Sequence, residues 1–322
     1  MPEINPRNVR TWSMLGQRGT VFTMMLPELA QKREDIMVLT ADLSLLSGLE
    51  RYKSTYPKQF LDVGIAEQNM IGIAAGLAKE GNCVFATTYA TFATMRCFEQ
   101  IRNNMGVMKF NIKVIGSSAG VAMGTSGNCH HSIEDIAIMR AIPNMRVICP
   151  ADAVEAAKAI EAVSNDNEPA YVRLTGNLNC PVVYKEDYEY TIGKANVLRE
   201  GSKVAIVAVG TMVSEALKAA DRLKDHGIDA TVADMHTVKP LDNECLDKLK
   251  DNHELIVTVE EHSVIGGLGG AVAEYIACHN TNMRQLMIGF NDTFSNMGSY
   301  EYILHENGLY ADAICEKIVK YM

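Results

Sequence analysis

The decisive stretch of this sequence reads Asp62-Val63-Gly64-Ile65-Ala66-Glu67-Gln68-Asn69-Met70 and continues as Ile71-Gly72-Ile73-Ala74-Ala75-Gly76-Leu77-Ala78. The second part predicts an apolar helix whose small Ala and Gly residues let a neighbouring backbone approach closely. Glu67 is a lone carboxylate at the start of that helix, so we expect it to face a tight neighbour rather than open water. Because the helix dipole alone also favours a first-turn Glu, the pattern leaves a structural and a functional role open.

Apolar runs alternate with helical segments along most of the chain, as in the predicted strands 36–40, 83–88 and 112–115. This alternation indicates α/β architecture, with mainly parallel sheets flanked by helices. The rhythm breaks over residues 179–201, which include Pro181 and the charged, Tyr-rich run 185–190. We therefore predict two domains, 1–178 and 202–322, joined by a linker over 179–201.

Length and composition exclude several classes of protein. The chain has 322 residues, enough for two domains of ordinary size, and a net charge of −9. That charge argues against nucleic acid or an anionic membrane as a partner, since both would repel it. There is no run of eighteen apolar residues and no basic-then-apolar leader, so we expect a cytoplasmic protein. The eight cysteines show no C-x-x-C pair or zinc spacing and are expected to be reduced core thiols.

The segment 62–68 resembles the pyrimidine-binding domain of the transketolase family of thiamine diphosphate enzymes. That family includes deoxyxylulose-phosphate synthases and the β-subunits of 2-oxoacid dehydrogenases. Further matching segments follow in the expected order: Tyr89–Phe92, Phe98–Arg102, His130–Asp135, Arg140–Met145 and Pro150–Asp152. The resemblance covers nearly the whole chain, is looser in the last third, and implies a pyrimidine-binding domain followed by a transketolase C-terminal domain.

The resemblance also implies roles for individual residues. Glu67 matches the family's activating acid, which shares a proton with a nitrogen of the cofactor's aminopyrimidine, as a buried carboxyl group can. Phe92 matches the aromatic residue on which the pyrimidine stacks. His130 matches the catalytic histidine that moves protons on the substrate. The cofactor pocket is predicted to be completed by Phe98, Tyr89 and Asp42, although a core role is the simpler alternative for Tyr89.

The diphosphate half of the cofactor site is missing from this sequence. The family holds the diphosphate through a divalent metal bound by a Gly-Asp-Gly motif and a downstream Asn, and no Gly-Asp-Gly occurs here. Mg²⁺ on phosphate oxygens needs such oxygen ligands. The resemblance therefore implies the C-terminal subunit of a split transketolase. Thiamine diphosphate would lie between this chain and a diphosphate-binding partner that ligates Mg²⁺, in an α₂β₂ assembly.

Three other sequence features are not read as further sites. The Gly-rich runs 116–127 and 266–270 match no phosphate-binding pattern, and are interpreted as a substrate-side loop and a tight strand-to-helix turn. The run Cys129-His130-His131 is not read as a metal site, because neighbouring side chains on a turn rarely chelate one ion together. We expect His131 to flank the cavity instead.

The sequence departs from the family where the substrate would bind. Ser126, Ser118 and Thr175 stand where an Asp, a His and a phosphate-gripping Arg are usual. The predicted reaction is transfer of a two-carbon ketol unit from a ketose or ketose phosphate donor to an aldose, with the substrate left open. The alternatives are a subunit like deoxyxylulose-phosphate synthase or a 2-oxoacid dehydrogenase β-subunit and, outside enzymes, a regulatory paralogue with a decayed pocket.

Overall fold

The computed structural model describes residues 3–176 and 179–322. The predicted end of the first domain, at residues 177–178, lies outside these ranges. Within them the strands are β1 Ile36–Thr40, β2 Phe60–Asp62, β3 Cys83–Tyr89, β4 Ile112–Ala119, β5 Arg146–Ile148, β6 Ala170–Thr175, β7 Asn196–Arg199, β8 Val204–Ala208, β9 Ala230–Asp234, β10 Thr237–Lys239, β11 Leu255–Ser263 and β12 Arg284–Phe290.

The α-helices in the same ranges surround two sheets. They are α1 Val9–Gly19, α2 Leu26–Lys32, α3 Ser44–Ser47, α4 Glu50–Thr55, α5 Glu67–Lys79, α6 Phe98–Ile101, α7 Asp135–Arg140, α8 Ala153–Ser164, α9 Met212–Leu223, α10 Asn243–Asn252, α11 Leu268–Cys278, α12 Tyr300–Glu306 and α13 Ala311–Tyr321. Three π-helical turns cover Thr20–Met25, Phe92–Arg96 and Arg102–Val107. None of the helices in the described ranges is long and apolar enough to cross a membrane.

The two sheets are mainly parallel, as the alternating pattern predicts. The first has the strand order β10-β5-β6-β4-β3-β1-β2 and the second the order β12-β11-β8-β9-β7. Strands β3, β4 and β6 are buried along nearly their whole length, because helices cover both faces of the sheet. The exceptions to parallel pairing are β10 and β7, each antiparallel to its neighbour at an edge.

The C-terminal half of the chain contributes to the first sheet. Strand β10 pairs with β5, so the two halves share hydrogen bonds across a sheet edge. Strand β7, which pairs with β9 in the second sheet, lies inside the region that the sequence assigns to the linker. Neither of these short edge strands was evident from the apolar pattern, since strands of three or four residues carry too little periodicity.

Two elements near the candidate site have a local explanation. Residues 92–107 do not form one continuous helix, because α6 lies between two π-helical turns. Each π turn accommodates an extra residue and therefore breaks the helical spacing. Strand β4 runs on to Ala119, into the predicted Gly-rich loop, and a Cβ at Gly116 would clash with the Tyr171 hydroxyl. That glycine is explained by close packing within the sheet rather than by a loop.

Candidate active site

Glu67 is the first residue of α5, and its side chain is almost fully buried. Its Oε1 accepts a hydrogen bond of 2.6 Å from Nη1 of Arg96, at the end of the π turn after β3. The charged neighbour of Glu67 is thus an arginine that the sequence pattern did not reveal. The small-residue face of α5 is open in this chain, since a Cβ at Gly72 or Gly76 would meet nothing within 4 Å among the described residues.

Phe92 begins the π turn that follows β3, and its ring is half-buried. The guanidinium carbon of Arg96 lies 4.2 Å from the centre of this ring, which is a cation–π contact. Arg96 therefore contacts two of the residues that the resemblance assigns to the cofactor. The spacing of four residues places both side chains on one side of the turn.

Three aromatic rings meet at the end of β3. The ring centres of Tyr89 and Phe92 are 6.0 Å apart, and His130 lies 5.9 Å from Tyr89 and 5.4 Å from Phe92, all in edge-to-face geometry. The Nδ1 atom of His130 is buried and has no hydrogen-bond partner in the described part of the chain. Because buried polar atoms are normally paired, this atom is available to a ligand.

The adjacent His131 has a different environment. It is buried, and its Nε2 lies 3.4 Å from the carbonyl oxygen of Gly124. Burial lowers the pKa of His131 below its usual value, which favours the neutral ring. Of the two histidines, only His130 contacts Phe92 in the described residues.

Two predicted cofactor residues stand apart from this group. Phe98, at the start of α6, packs against a hydrophobic core cluster that includes residues of both sheets. Asp42 is exposed, and its backbone N–H donates to Oδ1 of Asp62 at 2.9 Å. No hydrogen bond or ring contact in the described ranges joins either one to Glu67, Phe92 or His130, so their assignment stays a prediction.

The substrate-side positions lie near the kinked first helix, α1. Ser118 is buried with a positive φ of 52°, and Nη1 of Arg18 lies 3.4 Å from its Oγ. The amide oxygen of Gln17 accepts a hydrogen bond of 2.8 Å from the backbone N–H of Thr175. Residues 17 and 18 thus reach two of the positions that depart from the family, whereas Ser126 is exposed. No local pattern pointed to Arg18, because α1 was not predicted and lies about a hundred residues from Ser118.

The loop that carries His130 is fastened to the C-terminal half of the chain. Oε1 of the buried Glu261 accepts a hydrogen bond of 2.8 Å from the backbone N–H of Val121. Its Oε2 accepts from the hydroxyls of Thr211 at 2.8 Å and Tyr300 at 2.5 Å. A Cβ at Gly120 would overlap Oε1 of Glu261, so only glycine permits this contact. The second half of the chain therefore fixes where the His130 loop begins.

These residues fit an aminopyrimidine. A carboxyl group that is buried at a helix start, a half-buried phenyl ring and an unpartnered histidine nitrogen supply an acid, a stacking surface and a proton carrier. No group of three or more His, Cys, Asp or Glu side chains that could hold a metal ion occurs within residues 3–176 and 179–322. The arrangement has the chemistry needed to hold one side of a flat, nitrogen-containing ring.

Comparison with known proteins decides the family. Residues 17–180 match the family model of the transketolase pyrimidine-binding domain, and residues 193–314 match that of the transketolase C-terminal domain. The chain belongs to the transketolase family. Within it, the chain corresponds to the C-terminal section found as a separate subunit in split transketolases.

Several relatives of similar length are named as such sections or subunits. The chain is 43% identical over 299 residues to a putative transketolase C-terminal section of Methanocaldococcus jannaschii, in a match that covers 92% of this chain and 93% of the relative. It is 40% identical to a 6-deoxy-6-sulfo-D-fructose transketolase subunit of Clostridium sp. strain MSTE9, covering 92% and 91% of the two chains. It is 37% identical to one of the subunits of an apulose-4-phosphate transketolase of Phocaeicola vulgatus, covering 94% and 96%.

A solved structure agrees with these relatives. It is described as a split gene transketolase, inactive β4 tetramer, and superposes with a TM-score of 0.85 at 39% identity over 95% of this chain and 97% of that one. Single-chain relatives also match. A 1-deoxy-D-xylulose-5-phosphate synthase of Caldanaerobacter subterraneus is 33% identical over 98% of this chain, which spans 51% of that enzyme.

Proposed function

We propose that this chain is the pyrimidine-binding subunit of a thiamine diphosphate-dependent transketolase, which moves a two-carbon ketol unit from a ketose or ketose phosphate to an aldose. The observation that carries the proposal is the convergence of Glu67, Phe92 and His130, in which Glu67 is linked through Arg96 to Phe92 and Phe92 contacts His130. These residues come from three separate segments of the chain. Their meeting at one place supports a common ligand.

Each residue has a role that follows from its chemistry. When bound, thiamine diphosphate supplies a nucleophilic carbon for breaking and forming carbon–carbon bonds. Glu67 would hold a proton at a pyrimidine nitrogen, and Phe92 would offer its face to the ring. His130 would take and return protons at substrate hydroxyl groups through its unpartnered Nδ1 or the opposite nitrogen.

The diphosphate and Mg²⁺ would be held by a second polypeptide. The sequence contains no Gly-Asp-Gly motif, and the small-residue face of α5 is open in this chain. The solved relative described as an inactive β4 tetramer supports the expectation that this subunit is inactive alone. We propose an α₂β₂ assembly with the diphosphate-binding subunit, since closed two-fold symmetry is the common outcome.

The substrate is proposed to carry an anionic group. The names of two relatives specify a sulfonated and a phosphorylated sugar. In this chain the guanidinium of Arg18 lies beside Ser118, one of the substrate-side positions named above. A fork of N–H donors suits phosphate and sulfonate oxygens, so we assign recognition of the anionic end to Arg18.

The test is reconstitution. This chain would be mixed with a partner that contains Gly-Asp-Gly, encoded next to it if the genes are adjacent, with thiamine diphosphate and Mg²⁺. Ketol transfer is expected from ketose phosphates, and no turnover is expected from this chain alone. Turnover of 2-oxoacids instead would favour the dehydrogenase alternative. Failure of the assembly to bind the cofactor would favour a regulatory paralogue.

A further inference from the structure

Arg96 contacts both side chains that the proposed function assigns to the cofactor's pyrimidine. Its Nη1 donates to Oε1 of Glu67 at 2.6 Å, and its guanidinium carbon lies 4.2 Å from the centre of the Phe92 ring. We propose, resting on the function above, that Arg96 is a positioning residue that holds Glu67 and Phe92 in the orientation that receives the pyrimidine.

The contacts of Arg96 leave one carboxylate oxygen of Glu67 and one face of the Phe92 ring free for the cofactor. Only Oε1 of Glu67 is engaged, and Oε2 has no hydrogen bond within the described ranges. A carboxylate fixed through one oxygen has a defined direction for the other, which is the atom available to a ring nitrogen. A phenyl ring has two faces, and a guanidinium on one of them leaves the second free for stacking.

Arg96 is itself held in place from the backbone. It ends the π turn that starts at Phe92, and its carbonyl oxygen accepts a hydrogen bond of 3.0 Å from Nε2 of Gln68, the residue after Glu67. The start of α5 and the π turn are thus joined twice, once through this carbonyl group and once by the ion pair. The side chain of Arg96 is 45% exposed and that of Glu67 is 5% exposed, so the cation reaches inward from the rim.

The chemistry favours arginine over lysine at this position. A planar guanidinium can donate to a carboxylate and lie flat on a ring at the same time, which a compact ammonium group does less well. Removing the cation would also leave the nearly buried Glu67 without a charged partner, and its carboxylate would lose its fixed direction. Arg96→Lys should therefore retain only part of the function.

The test uses the complete assembly of this chain with its diphosphate-binding partner. The dissociation constant of thiamine diphosphate would be measured by fluorescence quenching for the unaltered enzyme, Arg96→Met and Arg96→Lys. Arg102→Met is the matched control, because Arg102 lies in the next π turn, is exposed, and bonds to its neighbour Asn103. We expect Arg96→Met to raise the constant about 10- to 100-fold, Arg96→Lys to fall between, and the control to change nothing.

A second readout separates positioning from simple loss of structure. At saturating cofactor, deuterium exchange at the acidic carbon of the thiazolium ring, followed by NMR, should be slower in Arg96→Met than in the unaltered assembly. Unchanged affinity and exchange would overturn the inference. Tighter binding would also overturn it, since the guanidinium would then occupy the place of the pyrimidine itself. If Arg96→Met fails to fold, Arg96→Lys decides by the same two measurements.

The inference and the proposed function fail differently. If the unaltered assembly does not bind thiamine diphosphate, both the proposed function and the proposed role of Arg96 are wrong. If the unaltered assembly binds but the Arg96 variants behave like it, only the role of Arg96 is wrong.

Discussion

The junction between the two halves of the chain and the candidate active site both bury carboxyl groups, but they complete them to different degrees. At the junction, Oδ2 of Asp135 accepts from Nε of Arg173 at 2.8 Å and from the hydroxyl of Tyr171 at 2.6 Å, and Glu261 is bonded by three donors. At the site, Glu67 has one half-exposed partner. The junction carboxylates are held by two or three donors each, which stabilises the docking of the halves, whereas Glu67 is held by one donor in the described residues.

Several strongly shifted pKa values belong to groups outside the candidate site. Burial raises the pKa of Asp234 and of Glu260 to about 7, and lowers the pKa of His262 to about 4. All three lie at the junction or in the second sheet, away from the residues that match the family's catalytic positions. Perturbed titration is therefore not specific to catalytic residues, because structural networks produce it as well. In this chain the convergence of Glu67, Phe92 and His130 on one place points to the site, and the shifted pKa values do not.

The largest expected effect belongs to Glu67 in the assembled enzyme. Glu67→Gln keeps the shape and a hydrogen-bond acceptor for Arg96 but cannot share a proton with a ring nitrogen. We expect turnover to fall by about 10²- to 10⁴-fold, measured as ketol transfer at saturating cofactor. Thermal unfolding of the variant should stay close to that of the parent.

The matched control is Glu99→Gln, which changes an exposed carboxylate on α6. It should leave turnover unchanged. Glu67→Gln turning over at the parental rate would contradict the assignment of Glu67 as the activating acid.

At the junction we expect a substitution to lower stability, whereas the Glu67 substitution lowers turnover. Arg173→Met removes the partner of the fully buried Asp135 and should lower the free energy of unfolding by roughly 3–5 kcal/mol, measured by denaturant titration. Arg222→Met is the comparison, because Arg222 pairs with Asp312 at the surface and such pairs contribute about 0–1 kcal/mol. Equal effects of the two variants would show that the buried pair has no special importance.

Sequence patterns predicted those strands and helices whose structure depends mainly on residues close by in the chain. The strand 36–40 was predicted residue for residue, since the apolar positions of a buried parallel strand form an almost unbroken run. The start of α5 at Glu67 was predicted from the apolar, small-residue pattern, whereas the segment that carries His130 was found through resemblance. The fold class and the family prediction are confirmed.

Contacts between residues far apart in the chain could not be predicted from the sequence patterns. The partner of Glu67, Arg96, lies 29 positions away and follows a π turn that disrupts helical spacing. Strand β10 lies in the C-terminal half yet completes the first sheet, which no short apolar run could reveal. Helix α7 begins at Asp135, and this residue pairs with Arg173 of β6. In each case a distant partner determines the local structure.

The next effect separates two phenylalanines that the sequence assigned to the same pocket. Phe92→Ala should weaken thiamine diphosphate binding by roughly 1–3 kcal/mol, by analogy with bases stacked on aromatic side chains. Phe98→Ala should instead lower stability more than affinity, because Phe98 packs on the core. Cofactor titration and thermal unfolding of both variants would be compared. Equal weakening of binding by Phe98→Ala would place Phe98 in the pocket after all.

The junction also predicts a dependence of stability on pH. The hydroxyl of Tyr184 donates to Oδ2 of Asp234, and Glu155 lies hydrogen-bonded beside it, so this buried pair retains a proton. A carboxyl group whose folded pKa is raised contributes stability below its unfolded pKa and loses it as pH rises toward the folded value. That window runs from about 4 to about 7, with a slope of at most about 1.4 kcal/mol per pH unit for one proton.

The variant Asp234→Asn isolates this contribution from other titrating groups. Asn resembles the protonated acid and does not titrate, so its stability relative to the parent should increase between pH 5 and pH 7. Urea titrations of both proteins at several pH values measure the difference. A difference that is independent of pH would mean that Asp234 does not gain a proton on folding.

The smallest expected effect tests whether the open face of α5 is reserved for a partner. Gly72→Ala adds a methyl group where nothing lies within 4 Å among the described residues, and Ala is a better helix former than Gly by about 0.8–1.0 kcal/mol. The isolated chain should therefore become slightly more stable, as measured by its midpoint of thermal unfolding. The face is proposed to pack closely in the assembly, so the same methyl group should weaken association with the partner subunit in analytical ultracentrifugation. Lys79→Ala, at the exposed end of α5, provides the control for changes on the helix surface. A gain in stability without weaker association would show that the small-residue face of α5 stays open in the complete enzyme. The partner subunit would then contact the site from another side.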